Sequence, residues 1–93
     1  MVYVYAIKSL HRNYIYVGQT ENVLLRFHQH NNREEKSTKP YSPFLLIFSM
    51  QCDDRIEARK WEKFYKTGEG KSRLRVILAE LCQKTRPPAD AQG

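Results

Sequence analysis

The stretch Val2-Tyr3-Val4-Tyr5-Ala6-Ile7-Lys8-Ser9-Leu10-His11-Arg12-Asn13-Tyr14-Ile15-Tyr16-Val17-Gly18-Gln19 decides the fold. Both ends are rich in β-branched and aromatic residues, and Ser9 to Asn13 between them is polar enough to turn. This predicts a β-hairpin. If pairing is symmetric about the loop, Tyr5 lies opposite Tyr16 and Tyr3 opposite Gly18. Directly opposed residues point to one face of a sheet, so the two phenols would share a face. A one-residue slip would part them. Tyrosines on strands are ordinarily packing residues. Gly18 adds to the reading, because a glycine at a strand end lets another backbone or a ligand approach closely.

Downstream, Thr20 is expected to cap a helix from about Glu21 to Asn31, with Glu21 in its first turn. Val23, Leu24 and Phe27 would supply its buried side. Arg26 and His30 are four apart and share another face. Asn32 to Pro43 reads as a long loop carrying Lys36-Ser37-Thr38-Lys39. Phe44 to Met50 is apolar on both faces and reads as the central strand. Asp53 or Asp54 would start a second helix running to Lys66 and ending at Thr67-Gly68, with an apolar stripe of Ala58, Trp61, Phe64 and Tyr65. Leu74, Ile77, Leu78 and Leu81 mark a third helix from about Ser72 to Gln83. Arg86-Pro87-Pro88 would end it. Residues 1–84 thus form one domain, and 85–93 a flexible tail.

Size and charge bound what such a chain can do. Ninety-three residues leave room for one sheet and two or three helices. The net charge of +6 with a pI near 9.5 favours a polyanionic partner, most often nucleic acid. Lys36, Lys39, Lys71, Arg73 and Arg75 are either a solvated basic surface or a track for a phosphate backbone. No apolar run nears the ~20 residues that span a bilayer, and Met1 to Leu10 lacks the pattern of a secretory signal. A cytoplasmic protein with no membrane partner is expected. Cys52 and Cys82 form no Cys-x-x-Cys pair, and the three histidines lack zinc spacing, so both cysteines are expected to be free, partly buried thiols.

The chemically loaded residues fall in a recognisable order: Tyr3-Val4-Tyr5, then Tyr16-Val17-Gly18, then Arg26, His30-Asn31, and Glu62 within Glu57-Ala58-Arg59-Lys60-Trp61-Glu62-Lys63. Together with the loop lysines, this order resembles the GIY-YIG nuclease superfamily, in particular its small stand-alone bacterial members, over roughly residues 1–80. Two departures stand out. Tyr3-Val4 replaces Gly-Ile in the first tripeptide, and His30 stands where other branches carry Tyr. The resemblance implies an α+β fold, a three-stranded antiparallel sheet flanked by helices. It implies a metal-dependent endonuclease acting on nucleic acid, with DNA the expected substrate and one Mg²⁺ or Mn²⁺ ion as cofactor. Carried over residue by residue, Tyr5 and Tyr16 are the paired phenols, Arg26 the phosphate clamp, and Glu62 the one metal ligand from protein. His30 would orient a phosphate or assist proton transfer. Gly18, Lys36 and Lys39 would meet nucleic acid.

Two choices stay open at this level. Either Tyr5 or Tyr16 could help activate the attacking water. A phenol with its ordinary pKa of about 10 is a poor base at pH 7 without a nearby cation. Helical periodicity places Glu57 within the apolar stripe and Glu62 at its edge, while the resemblance points to Glu62. The rival function is a catalytically silent module binding nucleic acid or protein through the same cleft. The small domain also leaves room for a partner protein that supplies specificity.

Overall fold

The computed structural model describes residues 1–85; the segment expected to stop the third helix and most of the expected tail lie outside them. The elements run β1 (Val2–Ser9), β2 (Ile15–Thr20), α1 (Val23–Asn31), a 3₁₀ turn (Lys39–Tyr41), β3 (Phe44–Cys52), α2 (Arg55–Tyr65) and α3 (Gly68–Thr85). The three strands form one antiparallel sheet in the order β2-β1-β3. This is the α+β architecture expected from the sequence, with helices on both sides of the sheet.

The centre of the sheet is β1, not Phe44 to Met50. Val4, Tyr5, Ala6 and Ile7 are all essentially inaccessible, so β1 is covered on both faces. Strand β3 is an edge strand on which Leu45 reaches solvent. An apolar run signals burial, but the middle place goes to the strand with partners on both edges. Tyrosine and lysine in β1 mask that position in the sequence.

The hairpin register also departs from the symmetric expectation. Tyr5 pairs with Gly18, Tyr3 with Thr20 and Ile7 with Tyr16. The shift is two residues, because the connection is longer on the β2 side than a symmetric loop assumes. An even shift conserves the face, so Tyr5 and Tyr16 still lie together, as diagonal neighbours.

Two apolar layers result. On one face Val2, Val4, Ala6, Ile15, Val17 and Ile47 pack against Ala58 and Tyr65 of α2 and Leu74 of α3, with Trp61, Phe64, Ile77, Leu78 and Leu81 around them. On the other, Tyr5, Ile7 and Phe44 meet Val23 and Phe27 of α1, with Tyr14, Tyr16 and Tyr41. Leu24, expected inside, is exposed, as is Leu25. The apolar side of α1 is therefore narrower than the sequence suggests. Its cap is Asn22, whose Oδ1 accepts from Leu25 N–H at 3.1 Å, and not Thr20, whose hydroxyl accepts from Asn22 N–H at 3.1 Å. The helix thus begins after Glu21.

Helix α2 starts on Asp54, whose carboxylate accepts from Glu57 N–H at 2.9 Å, while the Glu57 carboxylate accepts from Asp53 N–H at 2.8 Å. This reciprocal arrangement satisfies two donors at the helix start. Helix α3 begins at Gly68, four residues earlier than expected, with the Thr67 hydroxyl accepting from Gly70 N–H at 3.1 Å. A Cβ on Gly70 would run into the backbone of Phe64 and Tyr65, so this corner closes only around glycine. The Lys71 ammonium donates to the Ile15 carbonyl, and the Arg73 guanidinium lies 5.6 Å from the Phe64 ring centroid. These two cations hold α3 in place. Burial, with Arg75 and Lys66 nearby, lowers the Lys71 pKa. Cys52 is a buried thiol and Cys82 is exposed, so the expectation of two partly buried cysteines holds for neither.

Leu74 is fully buried between α3 and the sheet. Leu74→Ala should lower unfolding free energy by about 2–5 kcal/mol, the usual cost of a core leucine cavity. Urea unfolding followed by circular dichroism checks this. A loss below about 1 kcal/mol would mean that α3 adds little to the core.

Candidate active site

Four of the singled-out side chains meet on the α1 face of the sheet. Tyr5 is central and only 1 % exposed, and its hydroxyl lies 2.8 Å from His30 Nε2. The rings of Tyr5 and Tyr16 are 6.2 Å apart between centroids, and Tyr16 stands 5.0 Å from His30. The Arg26 guanidinium is close enough to the Tyr5 hydroxyl to favour its ionisation. Burial and the neighbouring Tyr16 outweigh it, and the Tyr5 pKa is pushed far up. Tyr5 is thus held as a neutral phenol.

His30 is fully buried, so it does not present a face to a nucleic-acid phosphate. Its Nδ1 lies 2.8 Å from the Thr38 hydroxyl, which itself donates to the Glu35 carbonyl at 3.4 Å. With that proton directed away, Thr38 accepts from His30 Nδ1–H. The Nε2 lone pair then accepts the Tyr5 O–H, which assigns the tautomer. Burial first, and Arg26 second, lower the His30 pKa, so the imidazole is neutral at pH 7. His30 thus links the Tyr5 hydroxyl to Thr38. Tyr16 is half-buried, and its hydroxyl makes no hydrogen bond to the other described residues.

Gly18 lies directly across from Tyr5. A Cβ there would come within 2.9 Å of the Tyr5 hydroxyl oxygen and of Tyr16 Cε2. The glycine therefore gives the two phenols their room. This is the close approach anticipated from its position, with the strand's own aromatic neighbours as the approaching groups.

Arg26 is paired. Its Nη2 donates to Glu35 Oε2 at 2.7 Å and its Nη1 to Gln29 Oε1 at 3.1 Å. The pair holds the Glu35 carboxyl below the usual carboxylate range and raises the Arg26 pKa. Glu35 and Thr38 were not apparent from the sequence. Nine residues separate Glu35 from Arg26, outside helical spacing. They meet because the chain reverses after α1. Asn32 ends the helix and Arg33 adopts φ of 63°, a left-handed conformation more usual for glycine. Glu34 N–H then donates back to the Gln29 carbonyl at 3.0 Å. Lys36 and Lys39 are exposed on the same loop.

Glu62 stands apart from this group. It reaches the free edge of β2 from α2, where its Oε1 accepts from Gln19 Nε2 at 3.0 Å and its Oε2 from Lys66 Nζ at 3.1 Å. Gln19 is adjacent to Gly18, so the carboxylate and the phenols flank one strand edge from its two faces. Glu57 is occupied by the α2 cap described above. Among the described residues no three His, Cys, Asp or Glu side chains are grouped to hold an ion. An ion at this edge would therefore rest on Glu62 alone. That suits a hard cation keeping most of its waters. The competing Lys66 pair is an i,i+4 contact between a half-exposed ammonium and a carboxylate that is 18 % exposed. A shallow groove of about 380 Å³, lined by Tyr3, Asn22, Val23, Leu24, Leu46 and Ser49, extends the same sheet face past the start of α1.

The GIY-YIG catalytic domain matches residues 1–75 of the chain. The three-stranded antiparallel sheet and its helices agree with that match, and the chain belongs to the GIY-YIG superfamily, whose fold is of nuclease type. No curated protein and no solved structure gives a significant match. Among the described residues no helix is long and apolar enough to cross a membrane.

The buried neutral imidazole links stability to pH. The unfolded chain protonates His30 near its ordinary value of about 6.5, whereas the folded chain protonates it only at lower pH. The stabilisation is complete above about 6.5 and is lost as pH falls below it toward the folded value. Thermal unfolding should shift to lower temperature between pH 7.5 and 5, and His30→Asn should flatten that dependence. Equal pH dependence in both proteins would contradict the assignment.

Proposed function

We propose that this protein hydrolyses phosphodiester bonds in nucleic acid, DNA foremost, with a single divalent ion, Mg²⁺ or Mn²⁺. Membership of the nuclease superfamily supports the reaction class. The observation that carries the reading is the convergence of Tyr5, Tyr16, Arg26 and His30 on one face, at the strand edge that Glu62 reaches from the other. The exposed Lys36 and Lys39 beside this face suit contact with the phosphate backbone.

The roles follow from exposure and bonding. Arg26 is the cation that meets the phosphate and neutralises its developing charge, using a guanidinium fork matched to phosphate oxygens. Tyr5 is buried and donates to neutral His30, so it cannot reach the bulk solvent that supplies the attacking water. It and His30 set the position of Tyr16 and Arg26. Tyr16 is the phenol that orients the water and takes part in its deprotonation. Glu62 would hold the divalent ion, which when bound would add Lewis acidity toward the phosphate oxygens. Gly18 is itself buried under the phenols, so the nucleic-acid backbone would meet the site beside Tyr16 and Arg26, the members of the group that reach solvent.

Labelled duplex, branched and single-stranded DNAs incubated with Mg²⁺ or Mn²⁺, against a chelator control, test the activity. Arg26→Ala or Glu62→Gln should lower the rate by at least ~10²-fold. Both should stay folded, because neither side chain lies in the core. Activity lost in Glu57→Gln and retained in Glu62→Gln would overturn the metal assignment. Binding of DNA with no cleavage under any of these conditions would point to a silent binding module.

The two phenols should separate in the same assay. Tyr16→Phe should lower kcat by about 10²-fold or more with DNA affinity nearly unchanged. Tyr5→Phe should instead cost about 1–3 kcal/mol of stability, because it leaves the buried His30 Nε2 without a donor. The reverse pattern would exchange their roles.

A further inference from the structure

The site cation is already engaged by the chain itself. Arg26 gives one terminal nitrogen to the Glu35 carboxylate and the other to the Gln29 amide, and both charged side chains are about one-third exposed, at 30 % and 33 %. A carboxylate and a phosphate are alternative partners for a guanidinium fork. Arriving phosphate therefore meets a cation whose charge is compensated, with a second negative charge beside it. Only Oε2 of Glu35 forms the ion pair, so the contact falls short of the two-point geometry a phosphate could provide. Partial exposure on both sides further weakens it.

We infer that Glu35 acts as a resident competitor for Arg26, which the substrate phosphate displaces on binding. The inference rests on the nuclease reading given above and concerns how that site selects its ligand. Its consequence is a threshold. A single phosphate gains little by exchanging with Glu35. A polyanion whose neighbouring phosphates contact Lys36 and Lys39 can displace it. Glu35 thus weakens every ligand of Arg26 by one common factor, which only a ligand with further contacts, such as extended nucleic acid, can absorb and still bind at low concentration. Glu35 touches no reacting atom in this scheme and acts through Arg26.

The test measures affinity without turnover. Fluorescence anisotropy of a labelled duplex, in chelator at low salt, is compared for the wild type, Glu35→Gln, Arg26→Ala, the double variant, and Glu34→Gln. Glu34 is the exposed neighbour and reports the general effect of removing one negative charge. Glu35→Gln should tighten duplex binding about fivefold or more, the upper range for releasing one partly exposed ion pair. That gain should exceed the gain from Glu34→Gln and vanish in the Arg26→Ala background. In the cleavage assay it should appear in KM and leave kcat nearly unchanged. Titration with inorganic pyrophosphate, followed by NMR at the Arg26 side chain, should show a gain of about the same factor, because displacing Glu35 costs every ligand of Arg26 the same free energy. Glu35→Gln matching Glu34→Gln, a gain that persists without Arg26, or weaker binding in Glu35→Gln would each overturn the inference; the last would make Glu35 a strut that aims Arg26. If no form binds duplex, the nucleic-acid reading fails, and the pyrophosphate titration alone still decides whether Glu35 competes for Arg26.

Discussion

The hydrogen bond between the Tyr5 hydroxyl and His30 Nε2 ties the site to the fold. It joins the middle of the central strand to the last turn of α1, and both partners are buried. Buried polar groups are tolerated only when their partners are in place. The bond therefore demands the rest of its chain: His30 Nδ1 on Thr38, Thr38 on the Glu35 carbonyl, and the Glu35 carboxylate on Arg26. Arg26 stands one helical turn before His30, which returns the path to α1. The loop after α1, devoid of regular structure up to Lys39, is positioned by this circuit. So are the two groups, Arg26 and Tyr16, that remain within reach of solvent.

The second constraint is the open edge of β2. With β1 in the centre and β3 covering its far side, β2 has one unpaired edge. The Lys71 ammonium takes the Ile15 carbonyl at the beginning of that strand. Farther along, Gln19 binds Glu62, while Gly18 is buried under the rings of Tyr5 and Tyr16. An edge strand ordinarily invites unwanted pairing. Here the strand is only six residues long, and side chains from α2 and α3 reach it through Glu62 and Lys71.

Such a small domain has little surface that is not also support. Arg73 and Lys71 are cations, yet one packs on Phe64 and the other is half desolvated against the sheet. The basic excess of +6 therefore does not translate residue for residue into a nucleic-acid track. The loop cations Lys36 and Lys39 are exposed, and they share their loop with the acidic partner of Arg26.

The hairpin, the three helices and the apolar stripes of α2 and α3 were legible in the sequence, because local periodicity reports which side of an element is buried. Superfamily membership was legible too, from the order of tyrosines, arginine and glutamate on which the resemblance rests. The centre of the sheet was not, because it depends on which strand acquires two neighbours, a property of the whole chain. The hairpin register was read two residues out, yet the shared face of Tyr5 and Tyr16 survived because strands repeat every two residues. Nothing local distinguished Tyr5 from Tyr16, and nothing marked His30 as buried, Glu35 as the partner of Arg26, or Thr38 as the partner of His30. Those facts arise from a reversal at Arg33 and from contacts between residues 8 to 25 apart. The sequence by itself determined which groups this protein carries and on which elements they ride. Only the tertiary structure decided which of them lose water and which keep it, because desolvation is set by the neighbours that packing brings in, not by the residues beside them in the chain.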